Sequence, residues 1–242
     1  MKSGRYEIIA AICVLCFIAA QTFQELAVRF WITESHGPTD DLAIYLLPVD
    51  QVRAALIGIT ILLLMIPFTV IALRYRTVAP LASIIGLIAG AAFVGLEIVH
   101  RSMDFFVVGK QWAYQFRNAT GAERDLILHY FSLWNEIVQG WYFPLMLSYF
   151  IASICFAVAI ASGRGRGAFY WLAPIAYSLN ALRLLGRMMS NFAGQHWLDG
   201  FNGKLYFPAV LVINGLLASW FFYMARQRKV ESSLATAISG GL

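Results

Sequence analysis

The sequence predicts an all-α protein, a polytopic membrane bundle of six transmembrane helices with both termini in the cytoplasm. Three observations predict this fold class. Hydrophobic residues make up 60% of the 242 positions and charged residues only 13%, whereas soluble domains carry about 25% charged residues. The mean hydropathy is +0.68. Apolar stretches of the length needed to cross a bilayer, about 20 residues, recur along the chain.

The apolar stretches define six spans, separated by loops with polar or turn-forming residues. In chain order they cover residues 6–32, 53–73, 80–106, 126–162, 169–192 and 206–225. The first span continues past Ala20 without a good cleavage site, so we expect it to stay uncleaved. Pro80 begins the third span, a position where proline is tolerated. Gly86 and Gly90 on that span have the spacing that permits close helix contact.

Two regions between and within the spans are less regular. Residues 107–125 mix polar and apolar types, which predicts a loop or an interfacial helix. The stretch 126–162 is too long for one untilted span, and we expect Gly140 and Pro144 to kink or break it. The small and polar residues 230–242 predict a disordered tail, which leaves 1–229 as a single transmembrane domain.

The basic residues set the predicted topology. With six spans, four basic groups fall on one side of the membrane: Lys2 and Arg5, Arg74 and Arg76, Arg164 and Arg166, and Arg226, Arg228 and Lys229. Basic residues accumulate on the cytoplasmic side, so both termini are predicted to be cytoplasmic. The net charge of +5 follows from this placement and indicates no nucleic-acid partner. The three cysteines are an odd number in apolar stretches, which does not predict a disulfide framework.

Ionisable and amide side chains lie on single faces of four spans, within the halves predicted to face outward. An ionisable residue at the bilayer centre costs about 2.5–3.5 kcal/mol and normally faces a bundle interior or cavity. We therefore expect an outward-facing polar cavity that binds a small or amphiphilic ligand. The candidate ligand-binding residues are Glu25, Glu97, His100, Arg101, His129, Glu136, Asn180, Arg183 and Arg187.

Three interpretations of these residues stay open. The arginines Arg183 and Arg187, with Arg101, predict a clamp for a carboxylate or phosphate through forked hydrogen bonds. The second interpretation is a metal-dependent membrane enzyme, because Glu97, His100, His129 and Glu136 form a ligand set acceptable for zinc or iron. The third is a structural subunit of a membrane complex, in which pairs such as Glu97 with Arg101 only stabilise packing.

The order of elements resembles a large bacterial family of six-span membrane proteins classed as a domain of unknown function. The likeness lies in the long first span, the Arg-rich turn after the second, and the Gly-rich third span that ends in Glu97-x-x-His100-Arg101. It continues into the long fourth stretch and covers most of the chain. The resemblance implies a six-span fold in the bacterial inner membrane and implies no activity. The sequence leaves the oligomeric state undetermined.

Overall fold

The computed structural model describes residues 4–32, 35–163, 165 and 167–239, and all regular secondary structure within them is helical. The helices are α1 (Arg5–Phe30), α2 (Pro38–Ile44), α3 (Pro48–Leu63), α4 (Met65–Tyr75), α5 (Pro80–Ser102), α6 (Ala113–Asn118), α7 (Ala122–Ala161), α8 (Leu172–Phe192) and α9 (Asp199–Ser239). A π-helical segment, Met103–Trp112, joins α5 to α6, and short 3-10 turns precede α8 and α9.

Five helical stretches of the described chain are long and apolar enough to cross a membrane, which indicates a multi-pass membrane protein. They are Arg5–Phe30, Pro48–Tyr75, Pro80–Asn118, Ala122–Ala161 and Gly203–Lys229. The all-helical prediction is confirmed. Helix α8, the predicted fifth span, is not among these five. Asn180, Arg183 and Arg187 lie within its 21 residues and make it less apolar than the others.

The long helices pack as a closed ring. Helix α1 contacts α3, α4 and α9; α5 contacts α3, α4 and α7; α8 contacts α7 and α9. The main hydrophobic core packs between these helices, and its large buried side chains include Phe68, Phe156, Tyr177 and Trp220. This arrangement brings the polar faces of α1, α5, α8 and α9 toward a common centre.

A smaller cluster of buried side chains lies beyond one end of the ring, and we call the elements that form it the cap. The cap consists of α2, the π-helical segment, α6 and the first part of α7, which contact one another. Its core contains Leu42, Val108, Phe116 and Phe131. Residues 107–125, predicted as a loop or interfacial helix, are therefore mostly helical and belong to the cap.

Helix α7 runs for 40 residues without interruption, so, of the kink or break expected at Gly140 and Pro144, a break does not occur. Proline removes one backbone hydrogen bond, yet membrane helices tolerate it because nearby groups satisfy the freed backbone. One turn further on, the hydroxyl of Ser148 donates to the Pro144 carbonyl at 2.7 Å. Helix α9 likewise continues to Ser239, so it includes residues 230–239, where composition predicts a disordered tail.

The end of the ring opposite the cap contains a buried carboxylate. Glu7 of α1 is 2% exposed, and its Oε1 accepts from Arg74 at 2.9 Å and pairs with Arg228 at 3.0 Å. The contact with Arg228 places the beginning of α1 and the later part of α9 at the same end.

Candidate functional site

A cavity of about 630 Å³ lies at the centre of the ring. Residues of α1, α3, α5, α7, α8 and α9 line it, so it is the point where the long helices meet. Its polar lining residues are Gln21, Gln24, Glu97, Arg101, Tyr142, Tyr149, Asn180, Arg183, Arg187, Ser190, Asn191, Asp199, Tyr206 and Asn214. Five of the nine predicted ligand-binding residues are in this set: Glu97, Arg101, Asn180, Arg183 and Arg187.

Helix α8 supplies the largest polar face of the cavity. Asn180, Arg183 and Arg187 are spaced three and four residues apart, so they stack on one side of the helix. The opposite side of α8 is apolar and exposed: Ile175, Leu179, Leu182 and Leu185 are 40–65% accessible. The helix is therefore amphipathic, with its polar side turned to the cavity and its apolar side turned outward.

Hydrogen bonds to Asn180, one turn earlier on α8, hold the Arg183 guanidinium in place. The Oδ1 atom of Asn180 accepts from Nε and Nη2 of Arg183 at 3.3 and 3.1 Å. The amide nitrogen of Asn180, which is 2% exposed, donates to Oγ of Ser153 on α7 at 2.8 Å. Asn180 thus connects the arginine to the α7 backbone, because Ser153 in turn donates to the Tyr149 carbonyl.

Arg183 and Arg187 share an aromatic neighbour across the cavity. Their guanidinium carbons lie 5.5 and 5.6 Å from the ring centroid of Tyr206 on α9, within the range of cation–π attraction. The Tyr206 hydroxyl donates to Oε1 of Gln21 on α1 at 3.2 Å. Three helices therefore fix the position of two positive charges.

The described residues place no carboxylate oxygen within 4.0 Å of the Arg183 or Arg187 guanidinium. Arg101 differs, because its guanidinium pairs with Glu97 at 2.8 Å and lies 4.0 Å from Asp104. The cavity also contains Asp199, whose carboxylate accepts a hydrogen bond from Ser190. The arrangement leaves two guanidinium groups on the cavity wall with hydrogen-bond donors for an anion.

The Glu97-x-x-His100 pair splits between the cavity and a buried network behind it. Glu97 lines the cavity, whereas His100, 3% exposed, is outside the lining. The Nε2 atom of His100 lies 3.2 Å from Oδ2 of Asp104, and Trp134 donates to Oδ1 of the same carboxylate at 3.0 Å. The imidazole packs edge-to-face against Tyr142, with centroids 5.3 Å apart. His100 therefore contacts the site through Tyr142.

Three other predicted residues lie away from the cavity. His129 and Glu136 are exposed on the first part of α7, and Glu25 is half-buried on α1 without lining the cavity. His129 and Glu136 precede the lining residues of α7, which begin at Tyr142. The continuous helix carries them toward the cap, and this placement separates them from Glu97.

The proposed metal ligands do not come together in the described chain. No group of three His, Cys, Asp or Glu residues there has an arrangement that could hold a metal ion. Glu97 is engaged with Arg101, and His100 with Asp104, while His129 and Glu136 are exposed. The zinc or iron centre expected as one alternative therefore has no assembled ligand set among these residues.

Sequence reasoning missed several residues that line the cavity. Tyr206 and Asn214 lie on one face of the last span, and their spacing of eight residues is the signal that identifies this face. Asp199 and Asn191 border the connection between α8 and α9, where the sequence has no periodic pattern. Only the packing of α9 against α1 and α8 brings them to the site.

Searches of protein-family models, curated proteins and solved structures give no match to this chain. The function must therefore be inferred from the cavity and its residues.

Proposed function

We propose that the protein is a six-span membrane protein that binds a small or amphiphilic anionic ligand in the central cavity. The observation that supports this most directly is the pair of inward-facing arginines, Arg183 and Arg187, without a carboxylate partner among the described residues. Buried charges are normally paired. Arg183 and Arg187 are half-buried on the cavity wall, and the lack of a carboxylate partner among the described residues favours an anion as their partner.

The amphipathic character of α8 supports its role as a membrane span, the fifth in chain order, in addition to the five more apolar ones. Its 21 residues would extend about 31 Å at 1.5 Å per residue, which matches a hydrocarbon core of about 30 Å. Polar residues inside membranes face the bundle interior, as Arg183 and Arg187 do. The exposed leucines on the other side suit contact with lipid.

The basic residues favour a cytoplasmic location for the end that contains Glu7. Arg5, Arg74, Arg76, Arg226 and Arg228 belong to this end of the helices, whereas Arg164 and Arg166 lie outside the described residues. Under the positive-inside rule, both termini would be cytoplasmic and the arginine side of the cavity would face outward. We propose the bacterial inner membrane as the location.

The binding experiment compares a panel of anions with purified wild-type protein and two variants, Arg183→Gln and Arg187→Gln. Phosphate, acetate and octanoate are the anions, and choline is the cationic control. Hydrogen bonds to charged groups contribute about 1.5–3 kcal/mol, so each variant should weaken anion binding about 10- to 100-fold. Arg187→Lys should give an intermediate loss, because lysine keeps the charge without the fork.

Arg29→Gln provides the matched control, because Arg29 is exposed on α1 and does not line the cavity. It should bind the anions as the wild type does. The proposal fails if no anion of the panel binds the wild type. It also fails if Arg183→Gln and Arg187→Gln bind as tightly as wild type and differ only in thermal stability, since the arginines would then serve packing.

A further inference from the structure

The cavity has two chemically different walls. Six of its ten charged and amide residues lie on α8 and α9, and the others are Gln21 and Gln24 on α1 and the paired Glu97 and Arg101 on α5. The wall formed by α3, α5 and α7 carries the apolar side chains Ile57, Ile61, Phe93, Leu145 and Met146. Each of these is at most 7% exposed, so the wall is continuous with the hydrophobic core.

The apolar wall lies deeper in the bundle than the outermost charged groups. On α5, Phe93 precedes Arg101 by two helical turns, which corresponds to about 12 Å along the helix axis. On α8, Asn180 precedes Arg187 by seven residues, or about 10 Å. The cavity therefore changes from cationic near the cap to apolar toward the middle of the bundle.

The amides that border the deep part of the cavity direct their nitrogens to protein oxygens. Asn180 donates to Ser153, as described above, and Asn214 donates to the Val210 carbonyl at 2.8 Å. Each of these nitrogens already has an acceptor within the protein, so neither depends on a polar ligand group for its hydrogen bond at this depth. An apolar ligand body can occupy the space beside Phe93 and Met146.

We propose that the ligand is an anionic amphiphile, whose head group contacts Arg183 and Arg187 while its apolar body packs on the wall of Ile57, Ile61, Phe93, Leu145 and Met146. This inference rests on the proposed anion binding and specifies the class of ligand. A volume of about 630 Å³ is within the range of about 300–1,000 Å³ typical of small-molecule sites. An inorganic anion would leave the apolar wall in contact with water.

The experiment measures binding of straight-chain carboxylates from acetate to decanoate to the protein in nanodiscs of zwitterionic phospholipid. Burial of one methylene contributes about 0.8 kcal/mol, so each added methylene should tighten binding about threefold to fourfold until the cavity is filled. Octyltrimethylammonium, with a chain of octanoate's size and a positive head group, should not bind at the site. Nanodiscs that also contain anionic phospholipid distinguish the two sources of such a ligand. If the natural ligand is a bilayer lipid, the anionic phospholipid should compete with octanoate and weaken its binding. If it is a free amphiphile, the phospholipid should leave octanoate binding unchanged.

Leu145→Asn tests the apolar wall, with Leu147→Asn as the matched control on the outer side of α7, where Leu147 is 36% exposed. Leu145→Asn should reduce octanoate affinity about tenfold and leave phosphate affinity unchanged, and Leu147→Asn should alter neither. The chain-length series in wild type tests the proposal even if Leu145→Asn fails to fold.

Equal affinities of the wild type for acetate and octanoate would overturn the amphiphile inference and leave anion binding intact. Octanoate affinities of Arg183→Gln and Arg187→Gln equal to that of the wild type would also overturn it, because the chain-length dependence would then reflect partition into the nanodisc. If the wild type binds none of the anions, the result would instead contradict the proposed function itself.

Discussion

Replacement of Glu7 by glutamine should destabilise the bundle at the end opposite the cap. One carboxylate oxygen of Glu7 pairs with Arg74 of α4 and Arg228 of α9, so three helices depend on a single buried acid. Removing one partner of a buried ion pair costs about 3–5 kcal/mol. The arginine side chains are 20% and 22% exposed and keep partial access to water, so we expect a loss at or below the lower limit of that range, about 2–3 kcal/mol.

The assay is thermal unfolding of the purified protein in detergent, followed by circular dichroism at 222 nm. For a domain of this size 1 kcal/mol corresponds to about 2–4 °C, so Glu7→Gln should lower the apparent Tm by about 4–12 °C. Glu136→Gln is the matched control, because Glu136 is exposed on α7 and its loss should change stability by about 0.5 kcal/mol or less.

A double variant identifies the interaction responsible. Once Glu7 is glutamine, a further Arg74→Gln substitution should cost less than it does in the wild type, because the two residues contact each other directly. The reasoning is refuted if Glu7→Gln unfolds at the temperature of Glu136→Gln. Additive effects of the Glu7 and Arg74 substitutions would refute it as well.

Two further predictions concern helix packing and alkaline pH. A Cβ atom at Gly90 would lie 2.7 Å from the ring of buried Phe68, whereas one at Gly95 would meet nothing within 4 Å. Gly90→Ala should therefore destabilise the protein by about 1–3 kcal/mol, while Gly95→Ala should stabilise it by up to about 1 kcal/mol. Equal shifts in Tm for the two variants would contradict this prediction. Burial raises the pKa of Tyr45, next to the cap, well above its ordinary value, so the folded state keeps the proton and stability falls as pH rises above about 10. Tyr45→Phe should lose less stability than wild type between pH 9 and 11, and parallel pH profiles would contradict the assignment.

The sequence by itself determined the fold class and part of the site. Composition and the length of the apolar stretches require lipid around the helices, and these properties do not depend on how the helices pack. The periodic spacing of Asn180, Arg183 and Arg187 placed them on one face of α8, because helix geometry fixes which residues stack. The pairing of Glu97 with Arg101 follows from the same helix geometry, because residues four positions apart are neighbours on one face.

Only the tertiary structure decided which polar residues share the cavity. His129 and Glu136 have helical spacing like the other candidates, but the uninterrupted helix α7 places them toward the cap. The sequence does not reveal that α7 is continuous, because Pro144 predicts a kink or break there. No sequence pattern predicts the ion pairs of Glu7, because its partners Arg74 and Arg228 are 67 and 221 positions away. Such contacts depend on how the helices assemble, and helix periodicity contains no information about the distance between helices.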